Sequence, residues 1–536
     1  MIIVGAGPTG LMLAAELCLA GVRPLVLERR PRPRETPKAS GFNGQIVELL
    51  HYRGLLGRVE AASGRSVRPA PGAPFGGLQL DFSSLPDPPM RVAHLPQPGL
   101  ERLLSERAGE LGADIRRGHE VTGISQDGTG VTAEVRGPNG PDRVTARYLA
   151  GCDGARSRAR DEAGIAFPGT TYPEVNRLGQ GTLAGSVTRL DNGDLDVPEL
   201  GRVRPGFTRT NRGVFALGWV TPGVALVQTT EDEPAGVDDD APMTLAEFRD
   251  SIRRVLGGDL PLGEVTRLSR YGFQARQAER YRAGRIMLAG DAAHQFPATG
   301  IGVNFGMADA VNLAWKLAAD ISGWAPAGLL DTYHDERHLA GARALLQTQA
   351  QVALRRGDDP AAEALRELFR ELLADEQPLR HMAALIAGAD IRYPMPGRGP
   401  QHGLAGTFVP DLPLHTENLH TENQQTENQQ TENLQTEPGA TSVAQLMHAA
   451  RPVLLDLADR RDLRETARDW QHRVEIRTAR TDHRPADALL IRPDAYVAWA
   501  VTAGEPAGPA APALREALGT WFGAPLTSTV PAIDRP

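Results

Sequence analysis

Cysteine is almost missing from this chain of 536 residues; Cys18 and Cys152 are the only two. So small a supply excludes a disulfide framework and any CxxC metal or redox site. Both read as buried small hydrophobes, and the chain as a reduced, cytoplasmic type. Lysine is equally scarce, with Lys38 and Lys316 the only examples, so arginine carries nearly all the positive charge. The net charge is −8 and no basic block interrupts it, which argues against nucleic acid as a partner. No apolar run reaches the roughly 18 residues that a membrane span needs. The first residues show neither a basic n-region nor a cleavage site, so no secretory signal is expected. No Ser–His–Asp arrangement and no metal-ligand cluster stand out. What is present is a hydrophobic content of 41%, enough for a globular protein, and a length that suggests about three domains at ~100–200 residues each.

Met1-Ile2-Ile3-Val4 reads as a buried strand running into a glycine turn. A helix pattern follows from Thr9 to Ala20, with Leu11, Leu13, Ala14 and Leu17 on one side. Gly21 closes it, and Pro24 to Glu28 forms a second strand. Further helices are expected over Gln45–Leu56 and Leu100–Leu111, and strands over His119–Ser125, Val131–Val135 and Arg147–Cys152. From Thr171 to Arg267 the pattern alternates, notably in Val214–Trp219 and Val224–Thr229, which predicts an inserted, mainly antiparallel layer. Helical patterns return at Asp309–Ile321, Leu329–Ala350 and a pair over 360–387. Residues 415–437 repeat a Thr-Glu-Asn unit with a period of about five that fits no helix or strand face, so they read as a solvated linker. Beyond it, Ala440–Pro536 suits a small α/β domain with strands at Ala488–Arg492 and Tyr496–Val501.

The strongest chemical signal is Gly5-Ala6-Gly7-Pro8-Thr9-Gly10, set between a strand and a helix. Gly5 permits the tight turn, Gly7 lets a pyrophosphate approach the backbone, and Gly10 allows close helix–strand packing. The helix N-terminus offers unpaired N–H groups and the positive end of its dipole. Glu28, ending the second strand, can accept both ribose hydroxyls of an adenosine. Two further motifs bear on which dinucleotide binds. Gly151-Cys152-Asp153-Gly154-Ala155-Arg156-Ser157 is by itself either a cofactor contact or a simple turn. Arg285 to His294 reads as a strand ending in Gly290-Asp291, followed by a glycine-broken loop from Pro297 to Gly302 and a long helix. Asp291 can accept a polyol hydroxyl, and the N–H groups of Gly302, Val303 and Asn304 can hold partial negative charge on a carbonyl-rich ring.

These three motifs, in this order, resemble the class A flavoprotein monooxygenases with the p-hydroxybenzoate hydroxylase fold, especially the aromatic polyketide hydroxylases and rifampicin monooxygenases. Tyr333-His334-Asp335-Glu336-Arg337 adds to the likeness, which covers roughly residues 1–390. The resemblance implies a Rossmann-like α/β FAD-binding domain over 1–170 and 268–390, with a substrate-binding sheet at 171–267. A linker at 391–439 would lead to a thioredoxin-like domain at 440–536 that lacks redox cysteines. Gly5, Ala6, Gly7, Pro8, Thr9 and Gly10 would cradle the FAD pyrophosphate, and Glu28 with Arg29 would hold the adenosine end. Lys38 would lie near the phosphates, Gln97 and Asp291 on the ribityl chain and Val121 elsewhere along the cofactor, while Asp153-Gly154 would be associated with both FAD and the nicotinamide cofactor. Gly302, Val303 and Asn304 would face the pyrimidine edge of the ring. Two departures are visible: the loop before Asn304 is one residue short of the family pattern, and Leu339 stands where a proline is expected, a change expected to affect only packing.

In the resembled family a reduced flavin hydroperoxide delivers an electrophilic oxygen, and the phenolic substrate activates itself by ionising, so no hydrolytic constellation is needed. The expected function is thus single-component hydroxylation of a polycyclic aromatic substrate by dioxygen, with NADPH or NADH as transient electron donor. No second glycine hexad is present for that donor. His294 is either a proton relay or a structural hydrogen bonder. Phe207, Phe215, Trp219 and Pro297 are candidate pocket residues, the three aromatics reading equally as plain core; Arg156 and Arg158 could meet nicotinamide phosphates but read first as solvated surface arginines. A homodimer is possible. Alternatives are Baeyer–Villiger insertion or inactivation of a rifamycin-type antibiotic on the same fold, and a non-catalytic flavoprotein.

Overall fold

The structure is a computed structural model that describes residues 1–35, 37–221, 223–232, 242–297, 300–356, 359–397, 401–415 and 441–526. The Thr-Glu-Asn repeat, His415 apart, lies outside the described residues.

The short apolar strand Ile2–Val4 is central to the first sheet because all three residues are buried. It pairs in parallel with Leu25–Glu28 on one side and Leu149–Gly151 on the other. Ile286–Leu288 and Asp114–Arg117 extend this parallel sheet outward, and Arg282–Ala283 closes one edge antiparallel. Strands buried on both faces must be covered by helices, and here the first helix, Pro8–Leu19, packs against the long helix Ile301–Ile321. Pro8 opens the first helix, where its missing N–H costs nothing. Cys18 and Cys152 are free thiols whose pKa values burial raises.

Three expectations are corrected. Gln45–Leu56 is two helices, Gln45–His51 and Leu56–Ser63, because Gly54 adopts a left-handed φ of 66° between them. The pair after the Leu100 helix is a three-stranded meander, the unforeseen third strand Gly140–Ala146 being too polar to stand out. The long helix starts at Ile301 and not at Asp309; Gly302 and Gly306 weaken the helix pattern, but a Cβ on Gly306 would lie 2.3 Å from Thr9 Oγ1, so close packing explains that glycine. Leu339, at the departure from the family pattern, is 42% exposed on the helix Thr332–Arg356.

The second large sheet runs in the order Gly206–Thr210, Gly213–Thr221, Val224–Asp232, Gly169–Leu183, Leu262–Gln277, His294–Gln295. Its two longest strands extend past the 171–267 limits, and the second pairs with His294–Gln295, just after the Gly290 turn. One face is covered by the helix Leu245–Leu256, whose Phe248, Ile252 and Val255 are buried against the sheet.

Residues 453–522 form a four-stranded sheet in the order Glu475–Thr478, Val453–Asp456, Ala488–Ile491, Val497–Val501, flanked by Arg461–Ala467 and Ala507–Phe522. One parallel pair and two antiparallel pairs make this a thioredoxin-like arrangement. A buried charge network fastens it to the first domain. Arg492 donates to both oxygens of Glu336 at 2.6 and 2.7 Å and also pairs with Asp494. Lys316 reaches Glu336 at 2.7 Å, and Asn312 bridges Glu336 and Asp494. Burial alone would raise the Glu336 pKa, but the charges of Arg492 and Lys316 hold it down at about 2. A second clamp is Arg53, which pairs with Glu16 and donates to the carbonyls of Met447 and Pro493.

Candidate active site

The glycine turn is built for close approach. Gly5 has φ 102°, and a Cβ there would meet the Cys152 carbonyl at 2.4 Å; one on Gly10 would sit 2.0 Å from the Gly5 carbonyl. Gly7 differs, with no atom within 4 Å of its Cβ position. The space over Gly7 is open at the N-terminus of a helix that has no side-chain cap and no acid in its first turn. Its first N–H groups therefore lack intrahelical partners and suit an anion. Glu28 lies beside them, half-buried, accepting the Ala6 N–H at 2.8 Å and the Arg30 N–H at 2.9 Å. A carboxylate has about four acceptor sites, so two remain for ribose hydroxyls. Arg29 is exposed next to it.

A second uncapped helix N-terminus is that of Ile301–Ile321, preceded by Gly300 at φ 82°. Gly302, Val303 and Asn304 are half-buried there, and Asp291 Oδ1 lies 3.3 Å from where a Cβ on Gly302 would be. The expected strand-end acid and the helix amides are thus adjacent. Asn304 donates to Asn43 Oδ1 at 2.9 Å, which ties the helix start to the stretch Lys38–Asn43. That stretch also meets Gln97, whose N–H donates to the Ala39 carbonyl at 3.0 Å. The Gln97 side chain donates to Glu101 at 2.8 Å, and Lys38 is exposed. Two uncapped helix ends, an open cradle at Gly7 and acids at Glu28 and Asp291 fit a dinucleotide with a polyol chain and a carbonyl-bearing ring.

Other expected residues have internal roles. The Asp153 carboxylate accepts from Ser157 Oγ and the Ala159 N–H, and burial raises its pKa, so it shapes the turn behind Gly5. Val121 is buried in the core with its side chain packed away from solvent. Arg158 donates to the Thr122 carbonyl and lies 3.6 Å from Glu162; Arg156 is exposed. His294 is fully buried, its Nε2 at 2.7 Å from Asp309 Oδ2 and its ring stacked on Phe296. Asp309 also accepts the Gly290 N–H at 2.9 Å and Arg337 Nε at 2.7 Å. Burial opposes its ionisation, yet His294 and Arg337 keep its pKa below the usual carboxylate value. This cluster fixes the turn that presents Asp291.

The four pocket candidates separate by face. Phe215 and Trp219 point toward the helix Leu245–Leu256: Phe215 is wholly buried in that core, and Trp219 packs at its border under Arg189 at 4.2 Å. For these two the structure corrects the pocket reading to the core one, since alternation along Gly213–Thr221 puts odd positions on the covered face. Phe207, opposite Ala216 in register, lies on the other face and is 40% exposed. Pro297 is buried beside the Gly300 helix start. The face that carries Phe207 is polar at its centre. Tyr271 donates to Gln228 at 3.2 Å, and Gln228 and Thr230 donate to Asn176 at 3.1 and 2.8 Å. Sequence reading missed Asn176, Gln228 and Tyr271, as well as Asn43 and Asp309, and it singled out Arg337 without its partner. The one available signal was polar residues at the inward positions of otherwise apolar strands and helices.

Residues 1–348 match the family described as FAD binding domain, and residues 430–525 match that described as aromatic-ring hydroxylase, C-terminal. A 12-dehydrotetracycline 5-monooxygenase/anhydrotetracycline 6-monooxygenase of Streptomyces rimosus subsp. rimosus is 42% identical over 98% of this chain and 99% of its own length. A rifampicin monooxygenase of Streptomyces venezuelae is 37% identical, with 98% of each chain covered. The solved structure of an anhydrotetracycline hydroxylase from Streptomyces rimosus superposes with a TM-score of 0.82 at 40% identity, covering 98% of this chain and 99% of that one. Among the described residues no helix is long and apolar enough to cross a membrane. With the nucleotide-binding motif, the inserted sheet and the C-terminal domain all matched, this chain belongs to the FAD-dependent aromatic-ring monooxygenases.

Proposed function

We propose that the chain hydroxylates a polycyclic phenol of the aromatic polyketide type in natural-product biosynthesis, using dioxygen and NADPH or NADH in the cytoplasm. The observation that carries this is the placement of a polar, half-buried sheet face across the Lys38–Asn43 stretch from the two uncapped helix ends. We assign the cofactor to Gly5–Gly10 at its pyrophosphate, Glu28 at its ribose, Asp291 at its polyol chain and Gly302–Asn304 at its ring edge. Bound there, FAD would accept a hydride and activate dioxygen, chemistry that no side chain supplies. The protein's own part is to orient and to keep water out. Asn176, Gln228 and Tyr271 would position the phenol's oxygens, Phe207 would flank its rings, and buried Pro297 would close the side next to the cofactor. His294, fixed on Asp309, acts as a structural hydrogen bonder. The domain division that follows is cofactor binding by 1–170 and 268–390, substrate binding by 171–267, and support from 440–536 beyond the linker at 391–439.

The test is turnover of a panel of tetracyclic and ansa-bridged phenols, including anhydrotetracycline and rifampicin, under heavy dioxygen. We expect faster NAD(P)H oxidation with substrate present and one labelled oxygen at an aromatic carbon by NMR. A ring-expanded ester or a cleaved ansa bridge would move the function to Baeyer–Villiger or inactivating chemistry. Colourless protein that takes up no FAD would end the proposal.

A further inference from the structure

The arginines of the second sheet divide by face. On the side covered by Leu245–Leu256 each one meets a carboxylate: Arg177 pairs with Glu247 at 2.9 Å and Glu231 at 3.2 Å, and Arg270 with Glu247 at 2.7 Å. Arg254, on the covering helix, pairs with Glu231 at 2.8 Å. Arg267 lies three residues before Arg270 on the same strand and therefore on the opposite face, in line with Tyr271. There it has no carboxylate within ion-pair distance among the described residues. Its Nε is enclosed without a partner, and one terminal nitrogen donates to the Lys38 carbonyl at 3.3 Å. Gln180 stands opposite it in register, and the Tyr271–Gln228–Asn176 chain continues along the face. All of these neighbours are neutral. A half-buried guanidinium left among neutral groups carries a desolvation penalty that an anion would relieve, and burial indeed lowers its pKa.

Lys38 places that anion. The stretch it begins reaches Gln97 through Ala39 and the start of the Ile301 helix through Asn43. Arg267 thus stands where the sheet face meets the residues assigned above to the cofactor.

We propose that Arg267 anchors an ionised oxygen of the substrate, a phenolate or enolate, and so draws the substrate into its reactive form. This rests on the function proposed above and adds the residue that holds the ionised substrate oxygen. The step is an acid dissociation: the phenolic O–H bond breaks, the proton passes to solvent, and the electron pair stays on the oxygen beside the guanidinium. That pair enriches the ring carbons ortho and para to it, where an electrophilic oxygen adds. Tyr271 is the titratable group in line with Arg267 on this face, and burial raises its pKa, so it stays a neutral phenol that donates to Gln228; Lys38, whose carbonyl Arg267 meets, carries its ammonium on an exposed side chain.

Alizarin, a phenolic anthraquinone whose colour reports its ionisation, is the probe. It is titrated with pH in the presence of holoenzyme, Arg267→Gln and Arg267→Lys, with FAD content and KM for NADPH measured on each. The wild type should ionise bound alizarin about 1–3 pH units below free dye, the effect of one opposite charge at short range. Arg267→Gln should abolish the shift and Arg267→Lys keep part of it, at unchanged FAD content. No shift in the wild type overturns the proposal. So does an unchanged shift in Arg267→Gln combined with a raised KM for NADPH or lost FAD, which would give the cation to a cofactor phosphate. Failure of the wild type to hold flavin at all sinks the broader function instead, so the two failures are distinguishable.

Discussion

Replacing Gly7 by alanine separates what the glycine turn does for the fold from what it does for the ligand. Gly7 has φ −78° and ψ −179°, ordinary values for any residue, and nothing lies within 4 Å of its Cβ position. Alanine should fit the folded chain without strain and restrict the unfolded one, a gain of about 0.4–1 kcal/mol. The same methyl group would occupy the open space over the helix N-terminus. If it displaces the pyrophosphate from one charge-assisted N–H bond, the loss is about 1.5–3 kcal/mol, or roughly ten- to hundred-fold in Kd at ~1.4 kcal/mol per decade. Gly10→Ala is the contrast, since its Cβ would lie 2.0 Å from the Gly5 carbonyl and the backbone must move; stability and binding should fall together. The assay is thermal unfolding of the apoprotein beside FAD fluorescence quenching on titration into it. Gly7→Ala that binds FAD as tightly as wild type, or that unfolds several degrees early, would refute the reasoning.

Phe215→Ala should cost about 3–5 kcal/mol by leaving a cavity in a packed core, whereas Phe207→Ala should leave unfolding unchanged and raise KM for the aromatic substrate. Denaturant melts and steady-state kinetics on both variants would separate them. Asp309→Ala strips Arg337 and His294 of their shared carboxylate, so we expect a loss of about 3–5 kcal/mol and weaker FAD retention on gel filtration. For Glu336 the folded pKa of about 2 lies below the ordinary 4.5. Its contribution is complete above about pH 4.5 and is lost as pH falls toward 2. Melting midpoints followed across that window should drop for wild type, while Glu336→Gln should start low and fall less.

The proposed cofactor site was legible because its signals are local. A strand, a glycine turn, an uncapped helix and Glu28 occur within one stretch of chain, and their spacing is set by backbone geometry. The Gly290–Asp291 turn was legible for the same reason. The proposed substrate face was not, because Asn176, Gln228 and Tyr271 lie on three strands and meet through register alone. Alternation announces that a strand has two faces without saying which is covered. Phe215 and Trp219 were misplaced on that account: the helix that claims their side comes later in the chain. The pairing of Asp309 with Arg337 was equally hidden, since a polar residue within a helix gives no sign of a partner on another one.

The five-member knot of Asn312, Lys316, Glu336, Arg492 and Asp494 bears on how such enzymes can be recombined. Three of its members come from the flavin-binding part and two from the thioredoxin-like part. Cutting the chain ahead of residue 441, or exchanging the tail for one from another hydroxylase without a matching Arg–Asp pair, would leave Glu336 and Lys316 facing a foreign surface. Shuffling at that seam should therefore yield insoluble protein unless both sides of the knot travel together.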